Sequence, residues 1–146
     1  MKNYIFALLC FFATSCFNSC GKEVGKMVFN EPALKEMNLD FTEKEISFWV
    51  DLDVEFKGGL KAWYNIELFQ NGQSVGAAQC SVFNVNIKID SVITNWNDSH
   101  SYSYLGKMTC SVMLPKPGPT TVKANFMIES QTNDYKFKKA DLVFKN

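Results

Sequence analysis

From residue 46 onward, apolar and polar positions alternate with a period of two. In ISFWVDLDVEF, Ile46, Phe48, Val50, Leu52, Val54 and Phe56 fall on one face, and Ser47, Trp49, Asp51, Asp53 and Glu55 on the other. That is the pattern of a strand with one face on a core. Gly58-Gly59 turns the chain, and WYNIELF sets Tyr64, Ile66 and Leu68 against Trp63, Asn65, Glu67 and Phe69. Asn71-Gly72 then supplies the positive φ angles of a tight hairpin.

The next segment, VGAAQCSVFNVNIKI, reads as one long strand, bulged over residues 76–80, where the alternation loses its phase. Residues 94–101, TNWNDSHS, read as a polar loop. Tyr102, Tyr104, Met108, Cys110, Val112 and Leu114 keep one face until Pro115, Pro117 and Pro119 end that strand. In TVKANFMIE, Val122, Ala124, Phe126 and Ile128 point inward, and in YKFKKADLVFK, Ala140, Leu142 and Phe144 align. Upstream, MVF is a short strand and EPALKEM a helical turn or two, with Pro32 in its first turn.

Seven or eight strands with one apolar face each, and scarcely any helix, predict an all-β, two-sheet antiparallel sandwich; a closed barrel is the alternative. The style is immunoglobulin-like or fibronectin-like only. An immunoglobulin domain has Tyr two residues before its second bridge cysteine and Trp after its first; here Met108 precedes Cys110, and Trp63 comes before Cys80.

The beginning of the chain has a different texture. MKNYIFALLCFFA carries Lys2 and then an uncharged apolar run. At about ten residues the run is too short to span a bilayer and matches a secretory signal. The small residues Ala13-Thr14-Ser15 lead into Cys16, and Phe17-Asn18-Ser19 lead into Cys20. Small residues before a cysteine resemble the bacterial lipobox, which implies lipidation of that thiol and cleavage just before it. Cys16 is the preferred site and Cys20 the alternative. Residues 1–15 are then a cleaved signal, 16–26 a lipidated stem and 27–146 the sandwich. Two or three acyl chains, at ~0.8 kcal/mol per buried methylene, hold a protein to a membrane permanently.

The MKN start, the FATSC junction and the Lys- and Asn-rich, Arg-free body resemble small lipoproteins of the Bacteroidetes. That resemblance implies an outer-membrane lipid anchor. Gly21-Lys22-Glu23 is a short form of the Lys-acidic run that accompanies surface export in that group, and the periplasmic and cell-surface faces both stay open.

Charge narrows the partners. Fifteen basic residues balance fifteen acidic ones, and every basic residue is a lysine. Without the planar fork of arginine, nucleic acid is excluded as a partner. Cys80 and Cys110 lie in strands and face an oxidising compartment if the chain is exported, which favours a disulfide, with two buried free thiols as the alternative. His100 is the single histidine, so a His-based zinc site or a Ser-His-Asp relay has little to draw on. Asp51, Asp53 and Glu55 recur about every 7 Å along one face, too wide for one calcium ion and suited to cross-strand lysines. No metal and no cofactor is expected. Trp49, Trp63 and Phe69 fall on the polar phases of their strands and Trp96 in the polar loop, a candidate partner or carbohydrate surface. The alternative for them is burial under another element.

The expected function is a membrane-anchored, non-enzymatic binding or scaffolding module for a protein or glycan of the cell envelope. An immunity or assembly lipoprotein of a contact-dependent, type VI-like secretion system is the second reading, by analogy with small lipidated sandwiches in such systems. An envelope hydrolase is the third.

Overall fold

The computed structural model describes residues 21–146, so both candidate lipidation cysteines, Cys16 and Cys20, and the signal lie outside the described residues. Nine strands follow one another: β1 (Glu23–Met27), β2 (Ala33–Phe41), β3 (Glu45–Lys57), β4 (Leu60–Gln70), β5 (Gln73–Ser81), β6 (Val85–Trp96), β7 (Ser99–Met113), β8 (Gly118–Ser130) and β9 (Tyr135–Lys145). They form two antiparallel sheets, a first of order β1-β9-β3-β7-β6 and a second of order β2-β8-β4-β5. The sandwich is thus as the alternation predicts. Its order differs from the ABED/CFG arrangement of immunoglobulin constant domains.

The inward phases make the core. Phe48, Val50, Leu52 and Val54 of β3 meet Tyr64, Ile66 and Leu68 of β4, Val122, Ala124 and Phe126 of β8, and Leu142 and Phe144 of β9. Tilted ring pairs, Tyr64 with Phe126 at 5.0 Å and Phe29 with Tyr64 at 5.6 Å, fill the middle. Such contacts add roughly 0.5–1.5 kcal/mol each beyond the area they bury. Two buried hydroxyls are paired. The Tyr64 hydroxyl donates to the Ala140 carbonyl and the Tyr104 hydroxyl to that of Val82 at 2.8 Å. Burial, then the charges of Asp141 and Asp51, holds the Tyr64 hydroxyl well above its usual pKa. Buried Asp141 accepts from the Phe29 amide and pairs with Lys26 at 3.4 Å.

Cys80 of β5 and Cys110 of β7 are bridged, with Cα atoms 5.5 Å apart, and the bond ties one sheet to the other. Asn71 and Gly72 both take positive φ, 52° and 76°, as a two-residue hairpin requires.

Four elements differ from the expectation, and with β1 and β2 the strands number nine rather than seven or eight. EPALKEM is not helical: Ala33 to Phe41 pair in continuous register with Phe126 to Gly118 of β8. Ala, Leu, Lys, Glu and Met favour a helix, but Met37, Leu39 and Phe41 recur every second residue and pack on the core, and pairing overrides propensity. The segment read as one long strand is two strands in different sheets. It breaks at buried Val82, whose amide donates to Ala62 at 3.0 Å. Residues 94–101 are no loop, because β6 and β7 run to a tight hairpin at Asn97-Asp98, with Asn97 at φ 50°. Finally, β1 begins at Glu23 and pairs with β9, so the sheet starts inside the segment expected as stem.

Candidate functional site

The register across the first sheet orients the molecule end to end. Glu23 opposes Lys145, Lys145 opposes Ser47, and Ser47 opposes Ser111, so the described chain begins at one end of the sheet. Lys57 opposes Ser99, which opposes Trp96, at the other end. The ten residue-to-residue steps from Ser47 to Lys57 separate these ends by about 33 Å.

At the far end β6 finishes, an edge strand paired only with β7 along its length. Between Ile89 and Val92 the ladder takes in one extra residue, with Asp90 at φ 51°. The bulge resets the phase, so Ile87, Ile89, Val92, Thr94 and Trp96 line one outer face, opposite Lys107, Leu105, Ser103, Ser101 and Ser99. Ile93 points the other way, opposite Tyr102. Trp96 is 76% exposed and Val92 65%, and with Ile87 and Ile93 this strand holds half of the exposed large apolar side chains among the described residues. Apolar side chains on both faces of an open strand edge are what an added strand covers.

The hairpin is held from within. His100 lies 4.9 Å from Phe56, ring centre to ring centre, and Phe56 packs on Phe83 and Tyr102 at 5.8 and 5.4 Å. The His100 Nδ1 meets the Asn95 Oδ1 across the hairpin at 2.6 Å. The single histidine is therefore a half-buried member of an aromatic cluster rather than a surface loop residue.

The four aromatics expected to form one surface do not converge. Trp49 is on the outer face of the first sheet but buried, with the Lys145 ammonium 4.0 Å above its ring. Trp63 and Phe69 are half-buried on the outer face of the second sheet, six residues apart on β4, and Lys123 covers Phe69 at 5.1 Å. Trp96 alone is open. Alternation assigns a face but not what covers it, and the ammonium groups of lysines on neighbouring strands lie over the Trp49 and Phe69 rings. A polar-loop reading of residues 94–101 does not join Val92 and Ile93 to Trp96 as one surface. The signal is there, however: two alternating runs, Ile87-Ile89 and Val92-Thr94-Trp96, offset by three residues, mark a bulge within one strand rather than a strand followed by a loop.

The acidic column of β3 is a solvated ion-pair face. Asp51 pairs with Lys139 at 3.2 Å and Glu55 with Lys138 at 2.6 Å. The Lys138 hydrogen bond and charge hold the Glu55 carboxyl below its usual pKa and, reciprocally, Glu55 raises Lys138. Among the described residues no three His, Cys, Asp or Glu side chains gather as metal ligands.

Comparison with protein-family models and with curated proteins finds no match.

Proposed function

We propose that the protein is a lipid-tethered, non-enzymatic binding module of the cell envelope, whose partner is a protein that lays an extended segment beside β6. The observation that carries this reading is the far-end edge: an open strand with Val92 and Trp96 exposed on one face and Ile93 on the other. A glycan stacked on Trp96 would cover one face only. An added strand alternates its side chains and covers both, while its backbone satisfies the open edge. The signal-like start and the cysteines after it support a tether at the opposite end, which would turn this edge away from the membrane.

The reading is tested by placing a photo-crosslinking amino acid at Thr94, and separately at Glu67 on the outer face of the second sheet, in the full chain in its native cells. A protein adduct at position 94 that disappears with Trp96→Ala, and none at 67, is expected. Adducts at 67 alone, or retention on glycan gels with no protein adduct at either position, would overturn the choice of partner and surface.

A further inference from the structure

The opposite end of the same outer face carries a cleft of about 610 Å³ lined by Glu43, Lys44, Glu45, Lys107 and Lys145 around Ser47 and Trp49, with Gly21 at its edge. Along β3 the outward residues Glu45, Ser47 and Trp49 follow at about 7 Å intervals, and the small Ser47 between two large neighbours leaves the depression. Lys145 stands opposite Ser47 on β9 and Lys107 opposite Trp49 on β7. Between Lys107 and Ser111, β7 holds two more residues than the facing stretch of β3, a bulge that spreads the strands at this point.

The charges of the cleft are left without ionic partners. None of the five charged side chains forms an ion pair among the described residues, although opposite charges line the same cleft; Lys145, only 9% exposed, rests its ammonium on the Trp49 ring instead. They stand apart, with space between them.

We propose that this cleft binds a phosphoethanolamine group. Its phosphate sits between the ammonium groups of Lys107 and Lys145, drawing Lys145 from the Trp49 ring, and its ammonium faces Glu45 and Glu43. Lysines beside glutamates suit a zwitterion better than a simple anion, which the carboxylates would repel. A cleft of this size takes the whole group. The tethered reading bears only on the source of the ligand: an anchor just ahead of Gly21 brings lipid head groups to the cleft, whereas a soluble compound needs no tether.

The test uses the full chain, labelled with ¹⁵N-tryptophan, in maltoside micelles. Its three indole N–H resonances are assigned by Trp49→Phe, Trp63→Phe and Trp96→Phe. O-phosphoethanolamine is expected to shift the Trp49 resonance saturably and leave that of Trp96 in place. Inorganic phosphate should bind about tenfold or more weaker, the loss expected when one charge-assisted contact goes. The double substitution Lys107→Gln/Lys145→Gln should abolish the shift. The milder Glu45→Gln should weaken phosphoethanolamine alone, leaving phosphate unchanged. Doping the micelles with phosphatidylethanolamine distinguishes the source: a shift identifies the lipid head group, and a shift from the soluble compound alone identifies a free ligand. An unmoved Trp49 resonance, or equal affinity for phosphate and phosphoethanolamine, would overturn the proposal. Either result would leave the far-edge reading intact, because the crosslinks at position 94 are measured separately.

Discussion

Replacing both Cys80 and Cys110 by alanine removes the one disulfide among the described residues, which cross-links the two sheets. The bridge closes a sequence separation of 30, and the loop-entropy relation gives about 3.6 kcal/mol for a loop of that length at 25 °C. Alanine keeps each Cβ, so little besides the two sulfurs leaves the core. At a urea m-value of about 1.5–2 kcal/mol/M, the loss lowers the denaturation midpoint by about 2 M. At roughly 4 °C per kcal/mol for a domain of this size, it lowers Tm by about 14 °C. The assay is equilibrium urea unfolding of the full chain, followed by far-UV circular dichroism and tryptophan emission. Because the stabilisation acts mainly on the unfolded chain, the m-value should also rise as that chain expands. A midpoint shift below about 0.5 M with an unchanged m-value would refute the reasoning, since the bridge would then be a bystander to packing already complete without it.

Other outcomes follow from the same contacts. Tyr64→Phe should cost about 1–3 kcal/mol in urea unfolding, because it leaves the Ala140 carbonyl without its buried donor. Gly76→Ala puts a Cβ 2.5 Å from a Val112 methyl carbon and should destabilise by about 1–3 kcal/mol through overpacking, a cost that Val112→Ala in the same chain should partly relieve. Glu55 should titrate below its ordinary 4.5 in carboxyl ¹³C spectra and move up in Lys138→Gln. Its depressed pKa adds stability above the unfolded value, and that is lost as pH falls through the folded one. For Lys138 the pKa is raised, so its share is present at neutral pH and lost as pH climbs through the folded value. A chelator should leave the far-UV spectrum unchanged, and a collapse would point to a metal that the described side chains give no reason to expect.

Sequence patterning reaches as far as alternation with a buried face reaches. β3 is legible because one phase is wholly apolar and lands in the core, and Asn71-Gly72 because only residues tolerant of positive φ fit that hairpin. β2 is hidden by its helix-favouring composition. The far end of β6 is hidden for the opposite reason: an edge strand solvated on both faces has no buried phase to reveal it, and the bulge at Asp90 breaks what periodicity there is. The candidate surface was half legible. Trp96 stands out by itself, but Val92 joins it only through the bulge, and the burial of Trp49 depends on Lys145, almost a hundred positions away in sequence and adjacent only once β9 lies beside β3. Likewise, the charged residues of the cleft come from β3, β7, β9 and the turn before β3, and no local motif brings them together.

The account as a whole requires a membrane at the Gly21 end. The most direct measurement is the mass of the amino-terminal peptide of the mature protein, purified from its own envelope. The prediction is a chain that starts at Cys16, or at Cys20, and carries a diacylglyceryl group and an acyl chain. A retained leader, or unmodified thiols at both positions, would contradict the tether and with it the orientation on which the proposed function depends.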